Sequence, residues 1–160
     1  MILMTSVNEK IKGLYSTDKE LRAKAMQSLV ESGTTAVLPL MDLMNDENWI
    51  VRYRTVEALG LIGDERAVNS LTKMLNDEKD HVRYMAAKSL GFYKKPELSI
   101  SLLPLLRDEN EYVRRITAVS LGNIGISKSA AEALKKAAKT ETDERAKTEM
   151  LNALSKTSIE

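Results

Sequence analysis

The sequence predicts an all-α protein: a right-handed α-solenoid (an α-α superhelix) of about four and a half helical hairpins, repeating every 31 residues. Three observations carry that prediction. Leu, Ala, Met, Lys and Glu dominate, while aromatics make up 4% of the chain and only three prolines appear, which is the composition of a helix former. Apolar residues recur at the spacing of amphipathic helices. The chain also repeats its own words. Asn45-Asp46-Glu47, Val51-Arg52-Tyr53 and Leu59-Gly60 return as Asn76-Asp77-Glu78, Val82-Arg83-Tyr84 and Leu90-Gly91, and a third copy runs Asp108-Glu109, Val113-Arg114 and Leu121-Gly122. Residues 45–75 and 76–106 agree at 11 of 31 ungapped positions, where composition alone gives roughly two.

The elements follow in order from that period. Ser6 to Tyr15, with Val7, Ile11 and Leu14 on one face, reads as a cap helix over 6–15. A degenerate repeat over 16–44 carries Leu21-Arg22 and Leu29 at the corresponding places. In the repeat 45–75, Val51, Thr55, Ala58, Leu59 and Ile62 share one stripe, which predicts a first helix, A, from about Asn48 to Ile62, closed by Gly63. Asp64 is placed as the N-cap of a second helix, B, striped by Val68, Leu71 and Leu75. Repeats over 76–106 and 107–139 and a half repeat over 140–157 complete one domain spanning 1–160. No hairpin can bury its apolar faces alone, and stacking neighbours gives one continuous core. Pro39 and Pro104 fall inside the B helices and are expected to bend them. Gly60, Gly91 and Gly122, with Gly63 and Gly125, follow no strand and so read as helix ends and close contacts rather than a phosphate loop.

The pattern of Asp, then Val-Arg, then Ala58-Leu59-Gly60 or Ser89-Leu90-Gly91, then a second helix ending in Leu and Asp, resembles a HEAT-like repeat. The nearest variety is the short type named after phycobilisome lyase subunits. The resemblance runs from about Thr17 to Leu154. It implies a superhelical fold and, in a family made mostly of scaffolds with a few enzymes among them, the binding of partners.

Two constellations stand out. Asp46 and Arg52, Asp77 and Arg83, and Asp108 and Arg114 stand at fixed spacing, and stacking lines them up as a structural ladder of caps and bidentate ion pairs. In the last repeat the matching basic residue is Arg145 or Lys147. The second constellation lies opposite the buried stripe of the A helices. There Trp49, Ile50, Tyr53, His81, Tyr84 and Tyr112 stack into one strip of the residue types that anchor interfaces, and these six are the candidate protein-binding residues. The B helices present Leu38, Asp42, Asn69, Lys73, Ile100, Pro104, Ala131, Lys135 and Lys136 outward, without a single sign of charge, and Lys128, Lys135, Lys136 and Lys139 gather on one helix opposed by Glu132.

Charge and composition narrow the function. With 24 basic against 23 acidic residues, the net charge of +1 gives no global attraction to nucleic acid or membrane. The chain has no cysteine and one histidine, His81, which is poor material for thiol, metal or histidine chemistry. No apolar run approaches membrane-spanning length and no leader precedes Val7, so the expectation is a soluble cytoplasmic protein without a cofactor. A repeat-built iron hydroxylase would need His-Glu pairs, and a HEAT-like DNA glycosylase a basic cleft; neither is present. The reading is a non-catalytic scaffold or adaptor that docks a protein partner. The alternative is a subunit of a phycobilin-lyase-like enzyme or chromophore chaperone, which the resemblance implies. Apolar Ile2, Leu3 and Met4 leave both a monomer and an end-to-end homodimer open.

Overall fold

Ten α-helices occur among residues 5–156, the part of the chain that the computed structural model describes. Ile2, Leu3 and Met4, and residue 157 of the expected half repeat, lie outside the described residues. The helices run α1 (Val7–Lys12), α2 (Lys19–Glu31), α3 (Val37–Met41), α4 (Trp49–Ile62), α5 (Val68–Lys73), α6 (Asp80–Gly91), α7 (Ser99–Leu102), α8 (Glu111–Ile124), α9 (Lys128–Thr140) and α10 (Glu144–Ser155). Short polar side chains start the long ones. Asp18, Asn48, Asn110 and Asp143 each accept a hydrogen bond from a first-turn amide of α2, α4, α8 and α10, and Ser6 forms a capping box with Glu9.

The A helices α2, α4, α6, α8 and α10 pack side by side, and α3, α5, α7 and α9 each lie against the A helix that follows. Leu29, Leu59, Leu90 and Leu121 from the A layer and Leu40, Leu71, Leu102 and Leu134 from the B layer are fully buried in one continuous core. Each such leucine contributes about 2 kcal/mol of burial. The chain is an α-solenoid, as its period predicts.

The B layer differs from the expected continuous helices. α3, α5 and α7 are only 5, 6 and 4 residues long. Tight 3-10 turns precede them (Gly33–Ala36, Glu65–Ala67, Pro96–Leu98) and follow them (Asp42–Asn45, Met74–Asn76, Leu103–Arg107). Asp64 accordingly caps a 3-10 turn, accepting from the Arg66 amide at 2.9 Å. Proline is not the cause of the break, because α5 and its flanking turns contain none and have the same form as the segments holding Pro39 and Pro104. What the three segments share is a return to an extended Asp46, Asp77 or Asp108, and the last turn tightens to reach it. α9 alone is a continuous helix of 13 residues, and its register turns Ala131 into the core rather than outward.

Two backbone positions explain the recurring glycines. Gly60 lies inside α4, not at its end, and a Cβ there would stand 2.3 Å from Ser89 Oγ and 3.0 Å from the Ser89 Cα. Its absence lets α4 and α6 touch backbone to backbone, with Ser89 Oγ donating to the Val56 carbonyl at 3.1 Å. After each of the first four A helices the chain turns through a residue of positive φ, three of them glycines: Gly33 (φ 58°), Gly63 (φ 72°) and Gly125 (φ 83°). The fourth member of that series is Lys94, at φ 51°.

Candidate functional site

The ladder forms the frame beneath the site, and its rungs connect neighbouring repeats. Arg52 donates to both carboxylate oxygens of Asp77 (2.8 and 3.0 Å) and to the carbonyls of Asp46 and Glu47 (2.8 and 3.2 Å). Arg83 repeats this on Asp108 (2.8 and 3.0 Å) and on the carbonyls of Asp77 and Glu78. For Arg114 the acid is Glu141 (2.7 and 2.9 Å), so the third rung ends on a glutamate that the period did not mark. Asp46 is off the ladder. Its carboxylate accepts from the Tyr15 hydroxyl, which pushes that phenol up to about 12, and Arg22 holds only the carbonyls of Ser16 and Thr17. The Tyr15 hydroxyl takes Asp46, the acid that the register of the later rungs would give to Arg22.

Held at this constant offset, α4, α6 and α8 align their outward residues in rows. Tyr53, His81, Tyr84 and Tyr112 line one open groove of about 370 Å³ together with Asp80 and Arg115. Tyr53 and Tyr84 are half-buried with their inner edges on the core, and Tyr112 is 53% exposed. Burial, with the nearby Glu57 carboxylate, raises the Tyr53 phenol above its ordinary value. Trp49 lies beside the groove. Its ring meets His81 at 5.0 Å between centroids, tilted 47°, and carries the Lys79 ammonium 4.8 Å above it, so it folds over the turn of the next hairpin. Ile50 is half-buried and does not line the groove.

The polar groups of the groove are mostly committed to one another. Asp80 accepts from the His81 amide (2.8 Å), lies 2.7 Å from His81 Nδ1, and accepts from Asn110 Nδ2 (2.6 Å), an interaction that links α6 to the start of α8. The His81 hydrogen bond, with that of Asn110, holds the Asp80 carboxyl below the usual range. Arg54 is paired with Glu57 at 2.7 Å and lies over Tyr53, whereas Arg115 lies 5.5 Å over Tyr112 without a carboxylate. Among its lining residues the hydroxyls are those of Tyr53, Tyr84 and Tyr112. The surface offers aromatic faces and one unpaired guanidinium, which is material for contact. Among the described residues no three histidine, aspartate or glutamate side chains come together as a metal site, and no helix is long and apolar enough to cross a membrane.

Sequence reasoning placed the tyrosines, put Asp80 and Arg115 in the same outward rows without making them candidates, and missed Asn110. The signal for Arg115 was available: it stands 31 residues after Tyr84, in the row of Tyr53. The Asp80–Asn110 bond had no such signal: Asn110 recurs as the cap Asn48, but Trp49 and Glu111 stand where Asp80 does in the neighbouring repeats.

Comparison with known proteins agrees with this architecture. A family model described as HEAT repeats matches residues 8–91 and 69–155. No curated protein matches the sequence. Among solved structures, the complex of CpcE and CpcF of phycocyanin lyase from Nostoc sp. PCC7120 is similar at a TM-score of 0.82 and 22% identity, over 92% of this chain and 96% of that one. An engineered protein superposes at a TM-score of 0.61 and 24% identity, covering 96% of this chain and 79% of its own. A designed armadillo repeat protein in complex with the peptide (KR)4 gives a TM-score of 0.62 at 17% identity, covering 95% and 82%. At these identities the likeness is one of fold.

Proposed function

The chain belongs to the HEAT-repeat family, and from that premise we propose that it is a non-catalytic scaffold that docks a protein segment in the groove formed by α4, α6 and α8. The observation behind this reading is the aromatic row itself: tyrosines from three adjacent helices open to solvent on a frame of bidentate ion pairs. Such a surface is rigid before binding, so a partner would be docked at little ordering cost. The peptide-bound armadillo protein among the structural neighbours supports the idea that an array of this fold can hold a peptide. Affinity capture from source-cell lysate, comparing the natural chain with Tyr84→Glu/Tyr112→Glu after circular dichroism has shown both folded, tests it. Capture of a defined protein by the natural chain alone supports the groove; equal capture by both removes it.

A second reading rests on the lyase complex among the neighbours, whose likeness covers nearly all of both chains. On that reading the chain is a subunit of a lyase-like enzyme or a chromophore chaperone. A coloured species that co-purifies with the protein and is absent from the groove variant would favour it.

A further inference from the structure

The hydroxyls and charges around the aromatic groove are unevenly satisfied. Of the five tyrosines, Tyr15 donates its hydroxyl to Asp46, and Tyr93 donates to the carbonyls of Leu59 and Asp64 (3.4 and 3.0 Å). The other three, Tyr53, Tyr84 and Tyr112, line the groove, and among the described residues their hydroxyls have no hydrogen-bond partner.

The carboxylates at the groove are engaged, Asp80 by His81 and Asn110 and Glu57 by Arg54. The cations are not. Arg115 lies over the Tyr112 ring and Lys79 over the Trp49 ring, and among the described residues neither has a carboxylate within ion-pair distance. Glu111, one turn before Arg115 on α8, opens with Asp143 and Arg145 into a neighbouring cleft that Arg115 also borders. A guanidinium resting on a ring face is held in place with its N–H edge still free, which suits bidentate capture of a carboxylate. Tyr53, Tyr84 and Arg115 stand at 31-residue intervals, so they form one row across α4, α6 and α8. Packed helices are about 9 Å apart, which puts Arg115 about 14 Å from the gap between Tyr53 and Tyr84, the span of about four extended residues.

We propose that the segment docked in this groove is acidic: an extended stretch that seats an apolar side chain between Tyr53 and Tyr84 and, about four residues away, a carboxylate on Arg115. Lys79 and the three phenol hydroxyls supply further donors to it. This assignment rests on the docking reading above and gives the partner its chemistry. A single-stranded nucleic acid would also stack on tyrosines, but it carries a charge at every nucleotide, and Asp80 stands in the groove between the two free cations in sequence and lines its wall. A second copy of this chain would bring another Lys79 and Arg115 to the same interface.

Selection of a phage-displayed random heptapeptide library on the folded natural chain, with counter-selection on Tyr84→Glu/Tyr112→Glu, isolates peptides that depend on the groove. They are expected to carry Asp or Glu with an apolar residue about four positions away. Resynthesised and measured by fluorescence anisotropy, they should bind Arg115→Glu about tenfold or more weakly, and peptides with Lys in place of the acid should recover on that variant alone. Arg115→Gln, which adds no like charge beside Glu111, should weaken them in the same direction, and circular dichroism checks the fold of each variant. Groove-dependent peptides without acids, or indifferent to both Arg115 substitutions, overturn the acidic partner and leave the docking groove in place. No groove-dependent peptide at all overturns both. Oligothymidylate binding, or self-association in sedimentation, that is lost in Tyr84→Glu/Tyr112→Glu while the acidic peptides fail to bind replaces the segment with another occupant and overturns the proposal.

Discussion

Arg83→Met and Asp108→Asn, made singly and together, measure how strongly the ladder holds the array rigid. Arg83 and Asp108 are 12% and 8% exposed at the side chain, so their pair is poorly screened. Arg83→Met keeps most of the side-chain volume but leaves the Asp108 carboxylate without its counter-charge and removes the donor to the Asp77 and Glu78 carbonyls. Loss of one partner from such a pair costs about 3 kcal/mol, the lower end of the buried range, because the exposed Glu109 lies near the same guanidinium. Asp108→Asn keeps an acceptor for the Asn110 amide and should cost about 2 kcal/mol. The double variant should lose about 3 kcal/mol, which gives a coupling of about 2 kcal/mol. Urea denaturation followed by circular dichroism reads all three, and the single Arg83→Met should lower Tm by about 6 to 12 °C. Arg22→Met is the internal control, since Arg22 holds two carbonyls and no acid; it should cost about 1 to 2 kcal/mol. A coupling below about 0.5 kcal/mol, the value of an exposed pair, would refute the reasoning, as would an Arg22→Met as costly as Arg83→Met.

Lys94→Gly should stabilise the protein by about 0.5 kcal/mol: relief of a left-handed side-chain residue gains about 1 to 2 kcal/mol and the freer unfolded chain returns about 1. Gly63→Ala should do the reverse, and equal Tm values for natural chain and Lys94→Gly would show the strain absent. A pH series on Glu141→Gln tests the last rung. Burial alone would raise the Glu141 carboxyl, but Arg114 and the Asp143 amide outweigh it and hold it below the usual glutamate range. Its folded value is therefore depressed, so its contribution is complete above the unfolded value near about 4.3 and fades as pH falls through the folded value. The stability gap between natural chain and Glu141→Gln should be constant above about pH 5 and shrink below about pH 4; a gap that grows on acidification contradicts the assignment.

The A helices could be read from sequence because three copies of Val, Arg and Leu-Gly fix both their period and their buried face, and polar caps such as Asn48 and Asn110 mark their starts. The B layer was less legible. Its leucines give the same spacing whether the chain runs as one helix or as a 3-10 turn, a short helix and another 3-10 turn, and the local pattern around Thr72 and Met74 does not distinguish them. The two prolines drew attention to a break that the proline-free α5 shares. For the ladder, spacing identified the six residues but not the register of pairing, since a guanidinium six residues after one aspartate is equally placed to reach the next repeat's acid. That register made Glu141 a rung and left Asp46 to Tyr15, a contact between cap and second repeat that no period encodes. In the aromatic strip, outward rows predicted Tyr53, His81, Tyr84 and Tyr112 as neighbours. The turn of Trp49 onto Lys79 and His81 depends on side-chain rotation, which periodicity does not set.

The most direct test of the docking groove is photo-crosslinking in source-cell lysate from a benzoylphenylalanine placed at Tyr112, compared with the same group at Ile100, which is exposed on the B layer at 72%. The scaffold reading predicts a discrete protein adduct from position 112, absent from position 100 and lost when Tyr84→Glu is added. An adduct from position 100 alone, or from both positions regardless of Tyr84, would contradict it.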